Sequence, residues 1–248
     1  MASLLSKGRV ASPFVKPLAQ GREGSPKLQI VVGIVVFPGS NCEHDVVESL
    51  GSLDAKAQLL WHSQADLQNS RAIVLPGGFA HGDYLRPGAI AKFSNIMNSV
   101  VEFARAGGPV LGICNGFQIL TEVGLLPGAL QKNRGLRFIC EMSQVVVSTA
   151  NSSASRQLAQ GAQLSIPINH FEGNFTCSHD TLEQLQQEDR IVFRYLNNPN
   201  GSVDDIAGIT NETRNVVGMM PHPERACDPM LGSSDGIQVL ASLLEAAQ

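Results

Sequence analysis

Ile30 to Phe37 is a short β-branched run closed by Pro38-Gly39-Ser40-Asn41. An apolar run of that length ending in turn residues predicts a buried strand that feeds a turn. Residues 42–50 read as a helix, with Gly51 just past it as a stop signal. Ala72–Leu75 predicts a second buried strand, closed by Pro76-Gly77-Gly78. Between residues 88 and 106, apolar groups recur at Ile90, Phe93, Ile96, Met97, Val100, Val101 and Ala104. That is helical spacing, and Gly107-Gly108 ends it. Pro109–Ile113 predicts a third strand, with a helix over Gly116–Val123 behind it. The second half is richer in strand patterns, at Leu136–Val147, Gln163–Ile168, Ile191–Leu196, Ile206–Thr210 and Val216–Met220. A helix over residues 235–247 closes the chain. The polar stretch Ser148–Ser155 reads as a surface loop.

Strand, turn and helix in alternation indicate βαβ units around a mostly parallel sheet. The expectation is a single α/β domain over residues 29–248, since no break in composition argues for a second one. Ligands of such sheets bind beyond the carboxyl ends of the strands. The three early strands all end in turns of glycine or small residues, so three loops can meet at one rim.

Composition narrows the chemistry. Of 248 residues, 18 are basic and 22 acidic, a net charge of −4, which argues against a general nucleic-acid binder. The charge is uneven. Lys7, Arg9, Lys16, Arg22 and Lys27 oppose Glu23 alone in the first thirty residues, which marks residues 1–28 as a separate basic extension. It resembles an organelle transit segment, or else it is a disordered tail or the product of an upstream start codon. No apolar run approaches the roughly 20 residues that span a bilayer, so no membrane association is expected. Cys42, Cys114, Cys140, Cys177 and Cys227 are odd in number and none pairs at C-x-x-C spacing. That speaks against disulfides and structural zinc and for a reducing, cytoplasmic setting.

Gly112-Ile113-Cys114-Asn115-Gly116 lies between a predicted strand and a predicted helix. This is the context of the nucleophile elbow, with cysteine in place of serine. A thiol lifted above the sheet at a helix N-terminus gains from the helix dipole when it ionises. The other four cysteines lack this setting and read as structural. A thiol nucleophile needs a base, and the base an orienting group. Pro221-His222-Pro223-Glu224-Arg225 follows a predicted strand and carries an imidazole and a carboxylate two residues apart. Acyl transfer also needs donors for an oxyanion, and the amides of Gly78 and Asn115 are the candidates. A turn that is merely glycine-rich is the alternative for Gly78. His81 lies in a rim loop, and His170, in Asn169-His170-Phe171-Glu172-Gly173, faces a ligand if that loop joins the rim. No metal site is expected, because His and carboxylates do not recur at metal-ligand spacing.

Together, Pro76-Gly77-Gly78-Phe79, Gly82-Asp83-Tyr84-Leu85-Arg86, the Cys114 elbow through Phe117-Gln118, and Pro221-His222-Pro223-Glu224-Arg225 resemble the class I, triad-type glutamine amidotransferases. More narrowly they are similar to the glutaminase subunits of phosphoribosylformylglycinamidine synthases. Pro38-Gly39-Ser40-Asn41-Cys42, Leu125-Leu126-Pro127-Gly128 and Glu172-Gly173-Asn174-Phe175 fit the same group. The resemblance implies a flavodoxin-like fold with helices on both faces of the sheet, and a Cys114–His222–Glu224 triad. It implies an oxyanion hole from Gly78 and Asn115, and glutamine contacts from Gly77, Gln118, His170 and Glu172. The partners it implies are a large ATP-using synthetase and a small bridging subunit, with ATP and magnesium on the synthetase and no cofactor in this chain. Two positions depart from the family: Phe171 replaces a glycine and Pro87 a cysteine. The competing expectations are a stand-alone cysteine hydrolase and a non-catalytic channelling subunit.

Overall fold

The computed structural model describes residues 29–248, so the expected basic extension over 1–28 lies outside the described residues. The chain runs β1 (Val31–Val36), α1 (Glu43–Gly51), β2 (Lys56–Trp61), β3 (Ala72–Leu75), α2 (Asn95–Arg105), β4 (Val110–Ile113) and α3 (Asn115–Glu122). It continues β5 (Ala129–Gln131), β6 (Ile139–Val147), β7 (Gln163–His170), β8 (Asn174–Thr176), α4 (His179–Gln187), β9 (Ile191–Tyr195), β10 (Ile206–Thr210), β11 (Val216–Met219) and α5 (Gly236–Ala246).

Nine strands form one sheet in the order β2-β1-β3-β4-β11-β10-β9-β6-β7, and β5 pairs with β8 apart from it. The first five in that order are parallel and the remaining pairings antiparallel. This is the flavodoxin-like α/β class, with a mixed, mostly parallel sheet. Every residue of β3, β4 and β11 is buried, which is why these strands read as unbroken apolar runs without alternation. The last strand of the chain, β11, slots between β4 and β10, with Met219 beside Ile113. The carboxyl ends of β1, β3, β4 and β11 therefore open on one rim. Among the described residues no helix is long and apolar enough to cross a membrane.

The structure differs from the sequence expectation in several places, the short pair β5 and β8 among them. The helix expected from residue 88 begins at Asn95 instead, after a single 3-10 turn over Ala91–Phe93 and an extended Ser94. Ala91, Ile96 and Met97 stay on the core side of that break, so the apolar period runs on although the backbone does not. β2 escapes the apolar pattern because it is an edge strand, with Leu59 and Trp61 left exposed. α4 is polar almost all round, and Leu185 is its buried anchor. The stretch Ser148–Ser155 is not a surface loop: Thr149, Ser152, Ser153 and Ser155 are buried. Their hydroxyls find internal partners, as in Ser152 Oγ to Ser155 Oγ at 2.7 Å and Ser153 Oγ to the Asn215 carbonyl at 3.1 Å. Satisfied in this way, polar groups can be buried at little cost.

Candidate active site

β4 ends at Ile113, and the next residue turns sharply. Cys114 has φ 50° and ψ −104°, outside every region that L-residues favour. Its N–H donates to the Met219 carbonyl at 2.8 Å, pinning the turn to β11. The Phe117 and Gln118 amides donate back to the Cys114 carbonyl at 3.0 and 3.2 Å, so α3 starts directly beneath the thiol. The flanking glycines avoid steric clash around the turn. A Cβ on Gly116 would lie 1.9 Å from the Leu75 carbonyl oxygen, and one on Gly112 2.7 Å from the Gly116 carbonyl. Glycine here lets α3 press onto the backbone of β3. The thiol is buried, and its Sγ lies 3.7 Å from the Asn169 carbonyl.

Three residues beyond the end of β11, His222 enters the same rim. Its N–H donates to the carbonyl of Pro167 at 2.8 Å, which anchors the loop to the edge strand β7. Nδ1 of His222 lies 2.6 Å from Oε1 of Glu224, and both side chains are buried. Burial opposes the imidazolium, yet the charge of Glu224, backed by Cys114 and Cys42, outweighs it and raises the His222 pKa well above its ordinary value. Among the described residues Nε2 of His222 has no hydrogen-bond partner. The Glu224 backbone is held in turn: its carbonyl accepts from Ser49 Oγ of α1 at 2.7 Å. Next to it, Arg225 Nε donates to Asp45 Oδ2 at 2.8 Å.

Gly78 has φ +143°, and a Cβ there would lie 2.8 Å from the Cα of Ser40. The strand-like contact between Ser40 and Gly78 thus requires glycine. Neither the Gly78 nor the Asn115 amide donates to a backbone carbonyl among the described residues. Gly77 sits against the His222 imidazole, since a Cβ there would lie 2.6 Å from Cε1 of His222.

A polar network joins the remaining predicted residues. Asn115 Oδ1 accepts from the Ala80 amide at 3.0 Å. Its Nδ2 donates to Asp83 Oδ1 at 3.0 Å and to Gln118 Oε1 at 2.8 Å. Gln118 Nε2 then donates to the Glu172 carbonyl at 2.5 Å. Gln118 is thus committed at both ends to tying α3 to the loop after β7. His170 is buried, with Nδ1 3.1 Å from Asn133 Oδ1. The same oxygen accepts from the Gly173 amide, so it is an acceptor, and the His170 proton sits on Nδ1. Burial, then the His222 charge, lowers the His170 pKa to about 4 and keeps it neutral at working pH. The Phe171 ring carries the Lys132 ammonium 5.9 Å from its centroid.

Asp83 enters the sequence reading only as part of a motif, yet its carboxylate belongs to this network. Burial raises its pKa, the Asn115 bond pulls it back, Glu172 pushes it up again, and it settles at about 6 against an ordinary 3.8. The native state then holds a proton that the unfolded chain has released, so this group's contribution to stability falls as pH rises from about 4 to about 6. Asp83→Asn keeps the acceptor for Asn115 and removes the charge. Its stability advantage over the parent should be absent near pH 4 and reach about 1 kcal/mol by pH 7, after discounting for solvent screening at a half-exposed group. Urea denaturation at both pH values measures it, and an equal advantage at both would refute the cause given.

Cys42, expected to be structural, belongs to the site's surroundings. Its Sγ accepts from Arg225 Nη2 at 3.2 Å and lies beside His222. Tyr195 is also close: burial, then the charge of Cys114, raises its hydroxyl pKa. Nothing in the spacing of either residue signals this, because each arrives from a different strand end.

Comparison with known proteins identifies the family. The family described as a CobB/CobQ-like glutamine amidotransferase domain matches residues 29–237. Phosphoribosylformylglycinamidine synthase subunit PurQ of Rubrobacter xylanophilus is 54% identical over 217 residues, covering 88% of this chain and 99% of that protein. The subunit of the same name from Koribacter versatilis is 53% identical over 224 residues, covering 86% and 97%. Among solved structures, a chain of PurLQS from Thermotoga maritima superposes with a TM-score of 0.82 at 37% identity, covering 89% of this chain and all of that one. A glutamine amidotransferase from Thermotoga maritima, at 18% identity and a TM-score of 0.57, shares the fold over 88% of this chain and 98% of that one. The chain belongs to the CobB/CobQ-like glutamine amidotransferase family.

Proposed function

We propose that this chain is the glutaminase subunit of a phosphoribosylformylglycinamidine synthase. It hydrolyses L-glutamine to glutamate and ammonia and hands the ammonia to a synthetase partner. That partner converts formylglycinamide ribonucleotide to formylglycinamidine ribonucleotide in de novo purine synthesis. The observation that carries the reading is the buried His222–Glu224 pair at 2.6 Å, with Nε2 free, beside a thiol on a strained elbow.

Cys114, as thiolate, attacks the side-chain carbonyl carbon of glutamine. The oxyanion that forms accepts hydrogen bonds from the Gly78 and Asn115 amides. His222, protonated on Nε2 and braced by Glu224, gives its proton to the departing nitrogen, which leaves as ammonia. His222 Nε2 then takes a proton from water, whose oxygen attacks the thioester carbon. Glutamate leaves and the thiolate returns. Gln118 and Glu172 shape the glutamine pocket through the loop they join, and Gly77 makes room for the imidazole. His170, neutral and lying near His222, offers a hydrogen-bond acceptor without drawing the ammonia's proton balance toward ammonium. The partners are a large synthetase and a small bridging subunit. ATP and magnesium belong to the synthetase, and the setting is cytoplasmic.

The test measures glutamate release and ribonucleotide amination with and without a purified synthetase. The expected result is glutamine-dependent amination by the complex, lost on Cys114→Ala but rescued by added ammonia. Amination from glutamine that survives Cys114→Ala overturns the triad. A complex that uses only ammonia makes the chain a scaffold.

A further inference from the structure

We propose that Cys42, His222 and Glu224 form a binding site for a soft divalent cation, zinc or cadmium, whose occupation shuts off the glutaminase. One donor atom of each residue lies within 4.8 Å of the others, and all three side chains are buried. Zinc bonds of about 2.0–2.3 Å to nitrogen, oxygen and sulfur set donor separations of about 3.3–3.8 Å in a tetrahedron, so a contraction of about 1 Å closes the set.

Two features favour an ion here. Among the described residues Glu224 Oε2 has no hydrogen-bond partner although its side chain is fully buried. Such groups are costly unless something binds them. Gly77 lets the two side chains meet: the Cβ it lacks would stand 2.6 Å from His222 Cε1, 3.0 Å from Cys42 Sγ and 3.4 Å from His222 Nδ1, so thiol and imidazole lie together against its backbone. An ion drawing on Sγ and Nδ1 together takes the place of the bond between Nδ1 and Glu224 Oε1, with the carboxylate turning to offer it an oxygen.

The charges also balance. A Cys42 thiolate and the Glu224 carboxylate neutralise a divalent ion, while Arg225 is already paired with Asp45 at 2.8 Å. Arg225 Nη2 donates to Cys42 Sγ, which supports the thiolate and is the kind of outer hydrogen bond that orients metal ligands. On binding, the thiol proton now directed at Asn41 Oδ1 leaves to solvent. Thiolate and imidazole select soft ions such as zinc over magnesium or calcium. Three protein donors leave a fourth position for water or for the glutamine carbonyl. The proposal rests on the triad reading, because an ion on His222 and Glu224 removes the imidazole that the thiol needs.

Cadmium is the probe, followed by its ultraviolet thiolate-to-metal absorption and by equilibrium dialysis, in the full chain carrying Cys114→Ser. That background removes the nucleophile's own thiol and makes the readout independent of turnover. One cadmium per chain is expected, with affinity at least about tenfold weaker once Cys42→Ser is added, and similarly weaker with Glu224→Gln. In the otherwise unaltered chain with its synthetase, zinc should inhibit glutamine hydrolysis reversibly on chelation, and Cys42→Ser should need at least about tenfold more zinc for the same fractional inhibition. Cadmium uptake indifferent to Cys42 and Glu224, or zinc inhibition unchanged by Cys42→Ser, overturns the site. If the unaltered chain hydrolyses no glutamine while cadmium uptake still depends on Cys42, it is the triad reading that fails.

Discussion

Replacing Cys114 with glycine should give a protein that melts higher than the parent and releases no ammonia from glutamine. The two effects have separate causes at one residue. A non-glycine residue at φ 50° and ψ −104° stores about 1–3 kcal/mol of backbone strain. Glycine relieves it and gives back about 0.5–1 kcal/mol through the freedom it adds to the unfolded chain. A net gain of about 1 kcal/mol follows, which for a domain of this size raises Tm by about 2–4 °C. Turnover should drop by about 10⁴-fold or more, because loss of a nucleophile leaves only binding and oxyanion contacts. Calorimetry and a glutamate-release assay read the two halves. A lower Tm would show that the elbow is not strained, and measurable turnover would remove the thiol from the reaction.

Gly116→Ala should be the most damaging single methyl in the molecule's central turn. The added Cβ would stand 1.9 Å from the Leu75 carbonyl oxygen and 2.7 Å from its carbon, both backbone atoms that cannot rotate aside. α3 cannot simply withdraw either, since Gly88 packs on its middle with a Cβ position 2.9 Å from the Ile119 nitrogen. The expected loss is about 3 kcal/mol or more, the upper end of overpacking. Where the protein still folds, α3 must shift, taking the Asn115 amide with it. A displacement of about 1 Å there costs about 10²-fold in turnover. Gly51→Ala is the control: nothing lies within 4 Å of its Cβ position at the end of α1. It should gain about 0.5–1 kcal/mol by trimming the unfolded ensemble. Urea midpoints of the three proteins decide the matter, and equal midpoints for Gly51→Ala and Gly116→Ala would refute the packing argument.

The parallel half of the sheet was legible because buried strands of this kind carry their signal in a few consecutive residues. Ala72–Leu75 needed no context beyond Pro76-Gly77-Gly78. β2 and α4 were not legible, because one is an edge strand with exposed apolar groups and the other has a single buried leucine. At the site, the Cys114 elbow and the His222–Glu224 pair were visible because each is local, a turn or a spacing of two. Asp83, Asn133 and Cys42 were not, because their roles lie in contacts across 30 to 180 residues, such as Asn133 with His170 and Arg225 with Cys42. The break before α2 was hidden for a further reason: an apolar stripe reports which side faces the core, not whether the backbone between is continuous.

The insertion of β11 between β4 and β10 bears on how the protein is born. The elbow cannot be pinned until Met219 arrives, and the imidazole follows three residues later. A chain folded only as far as β10 has, on the proposed triad, a thiol but no base. On the proposed triad, nitrogen release therefore waits for β11 to dock between β4 and β10.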